Sequence, residues 1–153
     1  MIPLHWLLAL FVGGLSVARP DARVWPQGLI EEPVANGWLA PVGLCFAEDG
    51  RLFVWERGGR VWNVENGVKA AEPLIDIAEE VGAWRDFGML GFALDPHFYD
   101  NGYFYLLYVV DYHHLKYFGT PQYSSTTNQY FHDTIGRLVR YTANAADGFR
   151  SVD

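Results

Sequence analysis

Asp49-Gly50, Gly58-Gly59, Asn66-Gly67 and Asn101-Gly102 each follow a short apolar run and turn the chain toward the next stretch. Around the first two stand "PVGLCFA" (41–47), "RLFVWER" (51–57) and "RVWNV" (60–64); around the last stand "MLGFALD" (89–95) and "YFYLLYVVD" (103–111). Dipeptides of this kind accept the positive φ that tight hairpin turns demand, so the chain must double back every few residues. Long helices are excluded over these stretches, and a meander of antiparallel strands is expected.

The grammar repeats. Gly43 answers Gly91 48 residues later, Gly50 answers Gly102 52 residues later, and Gly59-Arg60-Val61 answers Gly136-Arg137-Leu138 in "GRLVRYTA" (136–143). A period near ~50 residues with several strands per unit is the pattern of propeller blades. The runs Met89–Leu94 and Tyr103–Tyr108 do not alternate, which predicts neighbouring strands of one blade, covered on both faces by adjacent blades. Asp95-Pro96 ends the first run and Asp100-Asn101-Gly102 turns the chain back. In "LIDIAEEVGAWRD" (74–86) the opening reads as a strand and the rest as a turn or short helical piece ending at Gly82; residues 112–134 read as a long polar and aromatic loop.

The fold class expected is therefore all-β, a β-propeller. Propellers close with about four to eight four-stranded blades, and 153 residues supply the first two to three. An open stack leaves an unpaired edge and an uncovered apolar face. The chain is accordingly expected to be the N-terminal part of a larger protein, with the remainder of the propeller missing.

Half of the residues are hydrophobic and 16% aromatic, which excludes a disordered chain. The formal net charge of -7, with no Lys/Arg cluster, argues against a nucleic-acid partner. Residues 1–18, "MIPLHWLLALFVGGLSVA", read as a secretory signal peptide cut before Arg19, without the usual basic residue ahead of its apolar core. The alternative is a buried or anchoring N-terminal helix. The expected location is secreted or periplasmic, with no membrane attachment after cleavage, and 19–153 forms the incomplete propeller domain. The single cysteine, Cys45, lies in an apolar run and reads as a buried hydrophobe.

Other constellations point weakly to chemistry. His113-His114 beside Asp111 suggests a metal, but neighbouring side chains on a strand face opposite ways. Asp95 to Asn101 lacks the spacing and closing Glu of a calcium loop. Glu31-Glu32 and Glu79-Glu80 offer carboxylates, but a glycosidase needs a set separation across a cleft. The aromatics Tyr112, Tyr117, Phe118, Tyr123, Tyr130 and Phe131 either anchor the long loop or stack on sugar rings.

The stretches "LAPVGLCFAEDGRLFVWERGGRVWNVENG", "GMLGFALDPHFYDNGYFYLLYVVD" and "TIGRLVRYTANAAD" together resemble the start of the glucose/sorbosone dehydrogenase family over roughly residues 30 to 150. Pro41 to Glu56 matches the family's opening strand pair. Gly88 to Tyr105 matches its more specific motif, in which Gly, Pro, Phe and Asn-Gly fall in register. The resemblance implies a six-bladed propeller, a soluble sugar dehydrogenase using pyrroloquinoline quinone (PQQ) and calcium, and hydride transfer from a sugar C–OH to the quinone. A sugar or other small polyol would be the substrate and a histidine the general base.

The family's histidine motif, "H-x-x-G-x-L-x-F-x-x-D-G", lies beyond Asp153, as do its quinone and calcium ligands. No catalytic, cofactor or metal residue is therefore assigned, and His97, His113, His114 and His132 stand outside that motif. Whether the chain belongs to an enzyme is left open, and turnover by the chain alone is not expected. One substrate-binding position falls inside it. Two residues before the Gly of the second motif the family carries Gln or Glu; here Asp86 stands in "WRDFG", with a shorter reach. Its bland alternative is a loop carboxylate paired with Arg85 or solvated. The alternative for the whole is a non-catalytic extracellular propeller binding a protein or glycan.

Overall fold

The computed structural model describes residues 26–152. The stretch read as a signal peptide, 1–18, lies outside the described residues. The chain divides into two compact units, Met1–Glu32 and Pro33–Asp153. In the first, the described residues carry a turn in which the Leu29 N–H donates to the Pro26 carbonyl at 3.1 Å.

The second unit holds two antiparallel sheets. The first has β1 (Pro41–Phe46), β2 (Leu52–Glu56), β3 (Arg60–Glu65), β4 (Val68–Lys69) and β5 (Ile75–Asp76). β4 and β5 pair with opposite ends of β3, so they act as one interrupted outer strand and complete a four-stranded meander. The second sheet runs β6 (Met89–Leu94), β7 (Tyr103–Val109), β8 (Gly136–Thr142). A single helical turn, α1 (Phe98–Asn101), sits in the β6–β7 connection and ends at Gly102, whose φ of 70° is the left-handed value such a stop needs. The strands thus fall where the turn dipeptides predict, and residues 78–88 form turns rather than a helix.

The repeat seen in the sequence holds at the level of register. In the first sheet Gly43 pairs with Trp55 and Trp55 with Val61; in the second Gly91 pairs with Leu107 and Leu107 with Leu138. Each β-bulge falls at the same place, between Pro41 and Gly43 and between Met89 and Gly91. The Arg57 N–H donates to the Ala40 carbonyl at 2.9 Å and the Val109 N–H to the Gly88 carbonyl at 3.0 Å, the same bond one repeat apart.

The two sheets pack face to face. Phe53 and Val61 of the first meet Met89, Phe104, Leu106 and Tyr108 of the second. Phe53 stacks on Phe92 at 5.3 Å and meets Phe98 edge-on at 5.9 Å. Gly43 is required here, because the Trp55 indole lies where a Cβ would stand, 2.1 Å away. Val61 has no exposure, whereas its repeat partner Leu138 is 70% exposed and Leu107 is 45% exposed. This corrects the expectation that β6 and β7 are covered on both faces. β7 alternates, with Phe104, Leu106 and Tyr108 buried, while on the other side Leu107 is exposed and Tyr103, Tyr105 and Val109 are half-buried. The run looks continuous in sequence because its outward positions are apolar as well.

The far side of the first sheet is partly covered by residues 35–39. Ala35 and Trp38 pack on Leu52, Val54 and Val64. Lys69 holds this strap: its ammonium lies 4.4 Å from the Trp38 ring and 3.7 Å from the Trp62 ring, and it donates to the Gly37 carbonyl at 2.8 Å. β1 escapes the strap, leaving Val42, Leu44 and Phe46 exposed.

The long β7–β8 connection is ordered about a buried carboxylate. Asp111 caps α2 (Tyr112–Tyr117), accepting from the His113 N–H at 2.8 Å. It also takes the Gln129 N–H at 3.2 Å, which ties the return of the loop to its start. His113 and His114 are both buried on this helix, inside the stretch expected to be a loop. The Ser124 N–H donates to His113 Nε2 at 3.1 Å, and His114 Nδ1 lies 3.0 Å from the Tyr123 hydroxyl.

Gly43→Ala is expected to destabilise the protein by about 2–3 kcal/mol, because the Trp55 ring must move within a packed interface. Gly91→Ala, at the same repeat position on the bare face, should stay within about 0.5 kcal/mol of the parent. Urea denaturation of both variants checks the contrast, and equal losses would refute it. Asp111→Ala should cost about 1–3 kcal/mol, with loss of amide exchange protection at His113 and Gln129 before that of the strands.

Candidate functional site

The start of β6, the end of β7 and the start of β8 share one end of the second sheet, so the β5–β6 and β7–β8 connections meet there. The first is pinned to the sheet by its backbone. Val81 bridges Val110, the Gly82 N–H donates to the Val109 carbonyl at 2.9 Å, and the Asp111 N–H donates to the Glu80 carbonyl at 2.8 Å. Glu80 then reaches in to accept from the Tyr108 hydroxyl at 2.5 Å and forms an ion pair with Arg137 on β8. Burial, with the Glu80 carboxylate second, holds the Tyr108 phenol well above its ordinary value, so it stays a donor at every physiological pH.

Past this anchor the chain makes a tight turn, in which the Phe87 N–H donates to the Trp84 carbonyl at 2.9 Å. Arg85 adopts a left-handed φ of 51°, and its carbonyl accepts from Arg57 Nη1 at 3.0 Å. Gly88 closes the turn with φ 142°, and the Arg57 carbonyl stands 2.6 Å from where a Cβ would be. The turn therefore presents Asp86, exposed, at its tip. Asp86 forms no hydrogen bond or ion pair among the described residues, and the pairing with Arg85 weighed from sequence is absent.

The second connection returns alongside. Thr134 Oγ1 donates to the Val110 carbonyl at 2.5 Å and the Val110 N–H to the Ile135 carbonyl at 3.0 Å, fixing the approach to β8. Just before, Phe131 takes a left-handed φ of 64° and projects its ring against Trp84, centroids 4.7 Å apart. Phe87 and Tyr130 lie 4.9 Å and 6.0 Å from the same indole. The Arg85 guanidinium lies 5.2 Å from the Phe131 ring. Left-handed backbone at an arginine and a phenylalanine costs on the order of 1 kcal/mol each. An open cleft of about 740 Å³ lies between the two connections, lined by Trp84, Phe87, Phe131, Ile135 and the polar run 132–134.

The aromatics of the long loop divide. Tyr117, Phe118 and Tyr123 pack on His113 and His114, and Tyr112 stacks on His132 at 4.5 Å, so these anchor the loop. Tyr130 and Phe131 instead lie against Trp84, and Phe131, 72% exposed, lines the cleft. Sequence reasoning missed Trp84 and the Glu80–Tyr108–Arg137 cluster, whose members come from three separate segments. The Asp111 cap had a local signal, an Asp directly before the helical run "YHHLKY".

His97 stands at the N-terminal boundary of α1, away from the cleft. Cys45 is half-buried on β1 rather than fully buried, and burial pushes its thiol up, away from the reactive thiolate. Among the described residues no group of three or more His, Cys, Asp or Glu is placed to hold a metal, and no helix is long and apolar enough to cross a membrane.

Comparison with known proteins bears on both fold and family. A Thermus thermophilus protein called an oxidoreductase (glucose dehydrogenase) superposes with a TM-score of 0.55 at 23% identity, over 80% of this chain and 29% of its own. The PQQ-bound aldose sugar dehydrogenase of Streptomyces coelicolor superposes with a TM-score of 0.50 at 21% identity, over 80% of this chain and 31% of its own. These likenesses identify the two sheets as propeller blades. An uncharacterized protein of Synechocystis sp. is 30% identical over 83 residues, 50% of this chain and 20% of that protein. The chain thus spans between a fifth and a third of the proteins it matches. The model of the glucose/sorbosone dehydrogenase family matches residues 39–137, well over half of the chain and including the first sheet, β6, β7 and the Asp86 turn, and the chain belongs to that family.

Proposed function

We propose that this chain is the opening portion of a quinone-dependent sugar dehydrogenase, an oxidoreductase that removes a hydride from a sugar C–OH and delivers it to pyrroloquinoline quinone. The observation that carries the reading is the Asp86 turn. It lies inside the family match, two residues before the motif glycine Gly88, and holds a carboxylate without a partner among the described residues, next in sequence to Phe87, which lines an open cleft. A carboxylate so placed accepts hydrogen bonds from sugar hydroxyls, and a rigid turn keeps it there before the sugar arrives. On this reading residues 1–18 direct the protein out of the cytoplasm.

The residues of this chain do not by themselves fit the quinone or a calcium ion. The quinone is a flat, multiply carboxylated anion, and no arginine or lysine stands among the described residues that line the cleft. Calcium takes about six to eight oxygen ligands, and no cluster of acidic side chains of that kind is gathered among the described residues. The seats for both, and the general base, belong to the rest of the whole protein. What this chain's residues do is bind and orient. Asp86 accepts hydrogen bonds from sugar hydroxyls, and the Glu80 anchor and Gly88 fix the turn that carries it.

In the whole protein, Asp86→Ala is expected to raise KM for the sugar by about tenfold, the worth of one charge-assisted hydrogen bond. An unchanged KM would remove Asp86 from the substrate site. The 153-residue chain supplied with quinone and calcium is expected to reduce no dye when sugar is added. Turnover under those conditions would show that the machinery lies within these residues. A whole protein that binds glycans but never turns over with added quinone and calcium would favour the non-catalytic propeller instead.

A further inference from the structure

The Asp86 turn is strained at one residue, and what holds the strain comes from the other sheet. Arg85 is the first central residue of the turn, a place that glycine ordinarily fills when φ is positive, and its φ of 51° is unfavourable for an arginine. Returned to a negative φ, Arg85 would swing its carbonyl, and the Asp86 peptide bonded to it, to another side of the turn. The bond from the Phe87 N–H to the Trp84 carbonyl does not choose between the two forms, since turns of either hand close it.

The choice falls to Arg57, in the β2–β3 hairpin of the first sheet, which meets the turn at three points. Its Nη1 donates to the Arg85 carbonyl at 3.0 Å. Its own carbonyl accepts the Met89 N–H at 2.9 Å. Between the two, its side chain crosses Gly88 where a Cβ would stand. An arginine fork is well matched to a carboxylate, and Asp86 is the next residue along. Yet among the described residues the Arg57 guanidinium forms no ion pair and Asp86 has no partner. The bond therefore holds the peptide and leaves the carboxylate alone. Gly88 and Met89, beneath it, are buried, and Met89 lies in the core between the two sheets. The grip belongs to that packed interface and not to the face left for the next blade.

We propose that Arg57 is a positioning residue for the substrate carboxylate: by holding the Arg85 carbonyl, its guanidinium keeps the turn in the strained form that presents Asp86. This rests on the reading of Asp86 as a sugar ligand. Without the guanidinium the turn relaxes for most of the time, and sugar binds only the fraction that still presents Asp86. Affinity falls by that fraction, while a bound sugar meets the same groups as before.

The test is made on the whole protein supplied with quinone and calcium, with glucose as the varied substrate. Arg57→Met keeps the aliphatic stem over Gly88 and removes the guanidinium. It is expected to raise KM by about fivefold with kcat unchanged, a smaller loss than the roughly tenfold expected of Asp86→Ala. In the Asp86→Ala background the same substitution should change KM no further, because no carboxylate is left to aim. Additive losses would mean that Arg57 acts on the sugar by itself, and a matching fall in kcat would mean a general loosening; either overturns the proposal. If Asp86→Ala raises KM and Arg57→Met does not, Arg57 positions nothing and the Asp86 reading stands. If Asp86→Ala leaves KM unchanged, both fall. A crystal structure of the whole Arg57→Met protein gives a readout apart from activity: Arg85 is expected at a negative φ, and a retained positive φ refutes the proposal.

Discussion

The Trp55 ring lies across Gly43 within the first sheet, and the packing of the second sheet follows from it. A side chain at 43 would collide with the indole, so only a glycine lets the ring lie over β1 on that face. Trp55 then lies flat enough for Phe92 of the second sheet to reach within 5.8 Å, and Phe53, Phe92 and Phe104 stack onward from there. The second sheet carries the same triad at the same register, Gly91, Leu107 and Leu138, facing away. The relation between the sheets is therefore directional: each presents on its leading side what the next one covers. A third sheet in the same relation would bury Leu107 and Leu138 as the second buries Trp55 and Val61. That is the physical content of a propeller blade, visible here in two copies.

Much of this was legible in the sequence, because tight turns are written in single residues. Asp-Gly and Asn-Gly fixed where strands end, and the offsets of Gly43 and Gly50 from their counterparts gave the repeat. Whether a face is covered was not legible. Tyr103 to Val109 is apolar on both sides, and a run of that kind reads the same whether one neighbour is present or two. The long connection also resisted reading. Its order comes from Asp111 and His113 accepting backbone N–H groups and from His114 pairing with Tyr123, across up to 18 positions, with no periodicity to announce it. His113 and His114 illustrate the point. As neighbours on a strand they would diverge; on a helix of six residues they both turn inward to different partners.

Of the candidate site, Asp86 was named from sequence, and Tyr130 and Phe131 only as two of six loop aromatics that either anchor the loop or stack on a sugar. Asp86 could be placed through the motif that follows it, since Gly88 and Gly91 are fixed points. Trp84 and Phe131 could not, because 47 positions separate them and nothing in either local stretch predicts that two backbones will adopt left-handed φ to bring their rings together. Loops positioned by a rigid sheet are where specificity is commonly set, and their pairing is decided by the strands beneath rather than by the loops' own composition.

Both walls of the cleft are fastened chiefly to the second sheet, with the bond from Arg57 to Arg85 as a tie to the first. The Asp86 turn hangs from the Val81–Val110 bridge and from Glu80, whose carboxylate is shared by Tyr108 of β7 and Arg137 of β8. Phe131 hangs from Thr134 and Ile135, which bond to Val110. Val110 is thus common to both. A shift of one sheet against the other would carry the turn and the aromatic pair together, and would draw Arg57 away from the Arg85 carbonyl. The arrangement separates two requirements. Hydrogen bonds inside the second sheet set where the turn stands, while the tie from the first sets the way Asp86 points.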